Sequence, residues 1–176
     1  MSTRRTSRGG WEDPKNLPKG PNGRPLCRQC GQEIPKGRRR TFCSEACVDQ
    51  WRVRTDPGYA RYRVFERDHG ICARCGVDTV EVKRMFDGLA KQLGWSAPLA
   101  VALRSLTGDR HRTLWDMDHI VPVVEGGGEC DLDNLRTLCI WCHKRVTAEL
   151  AARRAEERRR QKRTRTRQVG MELTHD

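Results

Sequence analysis

Aromatic residues are scarce in this chain, at 6%, and long apolar runs are absent. The longest apolar run, Ala97 to Leu103, is far too short to cross a bilayer, and no membrane partner is expected. With so little apolar surface a large core is excluded, and 176 residues give room for one ordinary domain or two small ones. Small domains that lack core need other staples, and bound metals are one kind. Also missing is the apolar segment of a secretory leader: the N-terminus, MSTRRTSRGG, has charge only. That argues against a secreted disulfide framework and for a reducing, intracellular compartment. The expected location is cytoplasmic (nucleoid-associated) in a prokaryote or phage, and nuclear in a eukaryote.

Positive charge and cysteine are plentiful. The formal net charge is +12 and the pI about 9.7. Such a balance favours a polyanionic partner, nucleic acid ahead of an anionic membrane surface; plain solubility is the bland alternative. Eight of the nine cysteines fall into pairs: Cys27 with Cys30, Cys43 with Cys47, Cys72 with Cys75, and Cys139 with Cys142. Cys130 is left over and has no assigned role. Knuckle spacing of this sort suits tetrahedral thiolate zinc sites.

In chain order, residues 1–24 are rich in Arg, Gly, Pro and Ser and read as a disordered basic tail, with Trp11 as a lone aromatic. Residues 25–55 form a first zinc module on Cys27, Cys30, Cys43 and Cys47, with Gly31 after the first knuckle and Ser44 as helix N-cap. Lys36 and Arg38, Arg39 and Arg40 lie between its two halves, as phosphate contacts or simply as a solvated loop. Asp56-Pro57 opens a helix that stops near Gly70. His69, just before the second knuckle, reads as a surface or packing residue, because the thiolate set is complete without it.

Asp78 to Glu81 reads as a capping box, and Val82, Met85, Phe86, Leu89 and Leu93 follow helical spacing up to Gly94. A shorter helix over Ser96–Leu106, closed by Gly108, completes a helical insertion over about 78–108. The spacing predicts a strand over Thr113–Val124, a turn over Glu125–Glu129 and a return strand over Leu132–Leu138. A helix then starts near Cys142 and continues through AELAARRAEERRRQKR to about 163, with a flexible tail at 164–176. Its basic far end suits DNA contact and a solvated helix about equally.

Cys72, Cys75, Cys139 and Cys142 would share one zinc, structural because four thiolates leave no open position. The stretch between and after these knuckles is denser in chemistry. FERDHGICARCG, DHIVPVVEGGG and LDNLRTLCIWCH together resemble the HNH endonucleases, in their zinc-stabilised branch. The resemblance covers roughly residues 57–150, and His119, Asn134 and His143 supply its three letters. It implies a small zinc-stabilised α+β fold: a ββα-metal core (the HNH domain, 56–163) with the helical insertion, preceded by the N-terminal four-cysteine zinc finger. It also implies that Asp118 and His143 bind a catalytic divalent metal, that His119 is the general base and that Asn134 is a positioning residue. Cleavage would leave 5′-phosphate and 3′-hydroxyl ends. The segment from Cys27 through Gly70 further resembles the region leading into the HNH domain of a vertebrate fork-remodelling translocase, although these 176 residues hold no helicase motor.

A carboxylate and one imidazole leave most of a coordination shell to water and phosphate, which suits Mg²⁺ or Mn²⁺ better than tightly held zinc. Some members carry a second histidine four residues after the last motif histidine. Here that position is Thr147, which again favours the Mg²⁺ or Mn²⁺ site. An unperturbed imidazole titrates near working pH, which suits His119 to the task of general base. Adjacent residues on a regular strand point to opposite faces, so Asp118 and His119 can serve one phosphate only if the strand bends or the phosphate sits between them. Arg136, Lys144 and Arg145 are further candidates for contact with phosphate. The leading expectation is a metal-dependent DNA endonuclease, nicking or cleaving. The competing one is a non-catalytic zinc module that binds DNA or a partner, and an RNA target fits the same charge. Oligomeric state and target stay open.

Overall fold

The computed structural model describes residues 12–107, 113–128 and 131–172. It is a small α+β protein with five helices and a single two-stranded sheet among those residues. The elements are α1 (Glu45–Thr55), α2 (Pro57–Asp68), α3 (Thr79–Leu93), α4 (Pro98–Thr107), β1 (Trp115–His119), β2 (Leu135–Cys139) and α5 (Ile140–Glu172). None of the described helices is long and apolar enough to cross a membrane. The chain divides into two compact units, one built from the residues up to His69 with His119–Arg136, the other from Gly70–Asp118 with Thr137 onward.

In the first unit, helix starts are set by local chemistry. The Ser44 hydroxyl accepts from the Cys47 amide at 3.1 Å and starts α1. The Asp56 carboxylate accepts from the Gly58 and Tyr59 amides, and Pro57 occupies the first turn of α2, where its missing N–H costs nothing. His69 closes α2 in the left-handed conformation, φ 53°, and is exposed.

The first unit also begins earlier than composition suggests. Residues 12–24 fall inside the span expected to be a disordered tail, yet Leu17 is buried with Cys27, Ile34 and Cys47. Lys19 pairs with Pro25, and Asn22 binds the Glu33 carboxylate through both its backbone and its side-chain nitrogen. That amide holds the Glu33 carboxyl below the usual range. One buried leucine and a few backbone bonds suffice to order the segment, a signal that average composition hides. Trp11 lies outside the described residues. Arg28 stacks over Trp51 at 4.6 Å and over Phe42 at 5.6 Å, closing the cluster's other side.

In the second unit, Asp78 caps α3 by accepting from the Val80 and Glu81 amides, while the Thr79 hydroxyl, fully buried, donates to the Gly70 carbonyl at 2.6 Å. Glu81 does not close a capping box; it pairs with Arg84. Gly94 ends α3. Helices α3 and α4 pack on each other and leave Met85, Leu89, Trp95 and Leu99 exposed. The core of this unit is Leu114, Leu138, Ile140 and the cysteines, with Val77 and Val146 against them. Gly108 lies outside the described residues.

Strands β1 and β2 pair, and bonds from Ile140 N–H to the Leu114 carbonyl and from Ile120 N–H to the Asn134 carbonyl set an antiparallel register. Both strands are shorter than their sequence pattern. β1 stops at His119, because Pro122 cannot donate to a ladder and the chain turns into a 3-10 segment at Val123–Glu125. A second 3-10 turn, Leu132–Asn134, occupies what was expected to be the first part of β2. Helix α5 overruns its expected end near 163, since no breaker precedes Gly170.

Candidate metal centres and strand–turn–helix site

The eight paired cysteines are all free and form two groups of four. Within each group the sulfurs lie inside 4.8 Å of one another. Cys30 and Cys43 are 3.5 Å apart, Cys43 and Cys47 3.4 Å, and Cys75 and Cys139 3.9 Å. Tetrahedral zinc with Zn–S of about 2.3 Å places its sulfurs about 3.8 Å apart, so both sets could hold zinc. Cys130 lies outside the described residues.

The two first knuckles are the same local structure. Cys27 N–H donates to Gln32 O and Gly31 N–H to Cys27 O; Cys72 N–H donates to Val77 O and Gly76 N–H to Cys72 O. Gly31 and Gly76 both sit at φ +72°, a conformation that a side chain would strain. Burial works against charge on the Cys27 and Cys72 thiols, but backbone donors of the knuckles outweigh it and lower both to about 6. Cys43 and Cys142 move the other way. Neighbouring thiols Cys47 and Cys30 push Cys43 up to about 12, and burial pushes Cys142 up to about 12. A cation is what lets four crowded sulfurs ionise together.

The residues expected to carry chemistry fall in both units. In the second, β1 presents Asp116 and Asp118 on one face, and α5 brings His143 up in its first turn. His143 Nδ1 is 3.2 Å from Asp116 Oδ2, and its Nε2 is 3.9 Å from Asp118 Oδ1. The sequence reading named Asp118 and His143 but missed Asp116. The alternating Asp-x-Asp of a strand was the available signal. Two ligands about 2.1 Å from one octahedral ion stand about 3.0 Å apart in cis and about 4.2 Å in trans; the Asp118–His143 separation of 3.9 Å falls between the two. Their side chains are 15% and 35% exposed, which leaves room for water.

In the first unit, Asn134 ties the turn together. Its Oδ1 accepts from Val121 N–H at 2.8 Å, and its Nδ2 donates to the carbonyls of Val121 and Gly127, each at 3.1 Å. Gly127 is buried, and its own N–H donates to Pro122 O at 3.0 Å. His119, at the end of β1, is half-buried. Arg67 of α2, which the sequence did not single out, donates to the carbonyls of Leu132 at 2.8 Å and Leu135 at 2.6 Å and so braces the turn.

The basic candidates separate. Arg38 and Arg40 are exposed, whereas Arg39 is taken up by Glu45. Lys144 and Arg145 are exposed on α5, and Arg136 is half-buried on β2. Arg74 of the second knuckle instead holds Glu149 of α5 through two bonds, 2.8 and 3.1 Å.

The HNH endonuclease family matches residues 106–149. Over 154 residues the chain is 38% identical to "DNA annealing helicase and endonuclease ZRANB3" of Mus musculus and 35% identical to the Homo sapiens protein of that name. The Bos taurus protein is 36% identical over 157 residues. Each match covers 78% of this chain and 14% of the relative, so the chain spans about one seventh of those proteins. The crystal structure of the human ZRANB3 HNH domain matches at 36% identity, covering 60% of this chain and 97% of that one, with a TM-score of 0.43. By that family match, residues 106–149 of this chain belong to the HNH endonuclease family.

Proposed function

We propose that this chain is a metal-dependent endonuclease that hydrolyses DNA phosphodiester bonds. The observation that carries the reading is the approach of Asp118 to His143, a hard carboxylate and an imidazole 3.9 Å apart, within the span of about 4.2 Å that two ligands of one divalent ion can cover. The relatives' printed name supplies the substrate, DNA, and the net charge of +12 suits a polyanion.

Asp118 and His143 would hold Mg²⁺ or Mn²⁺, and when bound such an ion offsets charge on a phosphate oxygen and on the leaving 3′ oxygen. His119, next to Asp118 in the chain, takes the proton from the attacking water. Asn134 locks the turn that follows His119 through its three hydrogen bonds. Arg136, Lys144 and Arg145, with Arg38 and Arg40 on the first module, contact the substrate phosphates. The two zinc ions have no step in the reaction.

The test is conversion of supercoiled plasmid by the zinc-loaded chain with Mg²⁺, Mn²⁺ or EDTA, comparing wild type with His119→Ala. Nicked or linear product that needs both the divalent metal and His119 is the expected result. A gel shift of the same DNA with no product under any metal, and none with branched or single-stranded DNA, would move the chain to the non-catalytic zinc-module class. Cleavage of RNA alone would correct the substrate.

A further inference from the structure

The reading above gives His143 one task, holding a divalent ion, and leaves Asp116 with none. Yet Asp116 is the closer of the two carboxylates to the ring: 3.2 Å from Nδ1, against 3.9 Å between Asp118 and Nε2. The shorter distance is that of a hydrogen bond and the longer is not. An imidazole has two different nitrogens, one carrying hydrogen and one carrying a lone pair, and neighbours decide which is which. With the hydrogen on Nδ1, it points at Asp116 Oδ2 and the Nε2 lone pair faces Asp118. With the hydrogen on Nε2, the Nδ1 lone pair meets a carboxylate oxygen at 3.2 Å with nothing between them, and the Nε2 hydrogen reaches no bond at 3.9 Å. The first arrangement is favoured at both ends of the ring.

We propose that Asp116 is a positioning residue: it holds His143 as the Nδ1–H tautomer and turns its Nε2 lone pair toward Asp118, ready for a divalent cation. Geometry supports this on two further counts. Asp116 and Asp118 alternate on β1, so one strand face presents both carboxylates to one ring. His143 follows Cys142 directly, so the second cysteine cluster sets the base of its side chain while Asp116 sets the rotation of its ring. Carboxylates that orient metal-binding histidines in this way typically account for 10- to 100-fold in metal affinity, hence about that loss is expected on removal. The proposal rests on the metal site proposed above only for its second readout.

The first readout needs no divalent ion. In the full zinc-loaded chain with ¹⁵N-labelled histidine, at about pH 8.5, two units above the ordinary histidine pKa, long-range ¹H–¹⁵N correlation reports which ring nitrogen of His143 carries the hydrogen. Nδ1–H is expected for wild type and for Asp116→Asn, whose amide oxygen still accepts. Asp116→Ala is expected to lose that preference. Mn²⁺ titration by calorimetry is the second readout: Asp116→Ala binds about 10- to 100-fold more weakly, while Asp116→Asn stays near wild type. Two zinc ions per chain in every variant show that it has folded. A wild-type His143 protonated at Nε2, or an Asp116→Ala ring and Mn²⁺ affinity identical to wild type, would overturn the proposal. So would an Asp116→Asn loss as large as that of Asp116→Ala, which makes Asp116 a direct ligand. If Asp118→Ala and His143→Ala leave Mn²⁺ binding untouched, the metal-site reading fails by itself, and the tautomer still decides the role of Asp116.

Discussion

Replacing Gly127 by alanine would put a methyl carbon 1.8 Å from the carbonyl oxygen of Val121 and 2.8 Å from Asn134 Nδ2. The closest ordinary carbon–oxygen approach is about 3.3 Å, so the two backbone segments would have to part by about 1.5 Å. That movement breaks the bonds that hold them: Asn134 to Gly127 O, Asn134 to Val121 O, and Gly127 N–H to Pro122 O. At about 1 kcal/mol each, the turn loses about 3 kcal/mol. Its neighbours provide the controls. Gly126, at φ +98° with open space around it, should cost only the left-handed penalty of about 1–2 kcal/mol. Gly128 meets only the end of the Val123 side chain, at 3.0 Å, and should cost least. The assay is hydrogen exchange of the Val121 amide, which donates to Asn134. Protection should fall about a hundredfold in Gly127→Ala, with Gly126→Ala next and Gly128→Ala last. Equal protection in all three, or Gly126→Ala as the worst, would refute the reasoning.

Cys72→Ser and Cys27→Ser should each lower bound zinc from two ions per chain to one, by elemental analysis; unchanged stoichiometry would reject the assigned ligand sets. Arg67→Lys keeps the charge but loses the fork that spans Leu132 O and Leu135 O, so the turn should loosen by about 1 kcal/mol, seen as faster exchange of the Asn134 amide. Arg74 holds the Glu149 carboxyl below the usual range by hydrogen bond and charge. Since the folded value is the lower one, this link contributes stability above the unfolded value of about 4.3 and loses it as pH falls through the folded value. A ¹³C titration of the Glu149 carboxyl should therefore show a lowered midpoint in wild type that returns to the ordinary range in Arg74→Ala.

Features governed by near neighbours in the chain were the legible ones. Ser44, Asp56 and Asp78 each cap the helix their position suggests, because a cap needs only the next three residues. The cysteine groups were legible because knuckle spacing is short and repeated. What stayed hidden depends on distant partners. Arg67 serves carbonyls more than sixty residues further on, and nothing near it in sequence marks the role. Asp116 gains its neighbour only when α5 returns to β1. Leu17 is one apolar side chain in a polar stretch, and its burial is decided by the cluster it meets. The strand ends were overestimated because β-branched residues continue past the points where Pro122 and the 3-10 turns redirect the backbone.

The two cysteine groups also differ in how they can come into being during synthesis. Cys27 to Cys47 leave the ribosome almost together, so the first set can take up zinc as soon as α1 emerges. Cys72 and Cys75 emerge as half a site and wait for Cys139 and Cys142. At about 5–20 residues per second the gap is roughly 3 to 13 s. Throughout that interval the nascent chain offers two bare thiols, without the Cys139 backbone donor that helps lower Cys72 in the folded chain. The order of translation thus separates the two sets: the first can close on zinc early, whereas the second depends on zinc still being at hand when Cys139 and Cys142 emerge.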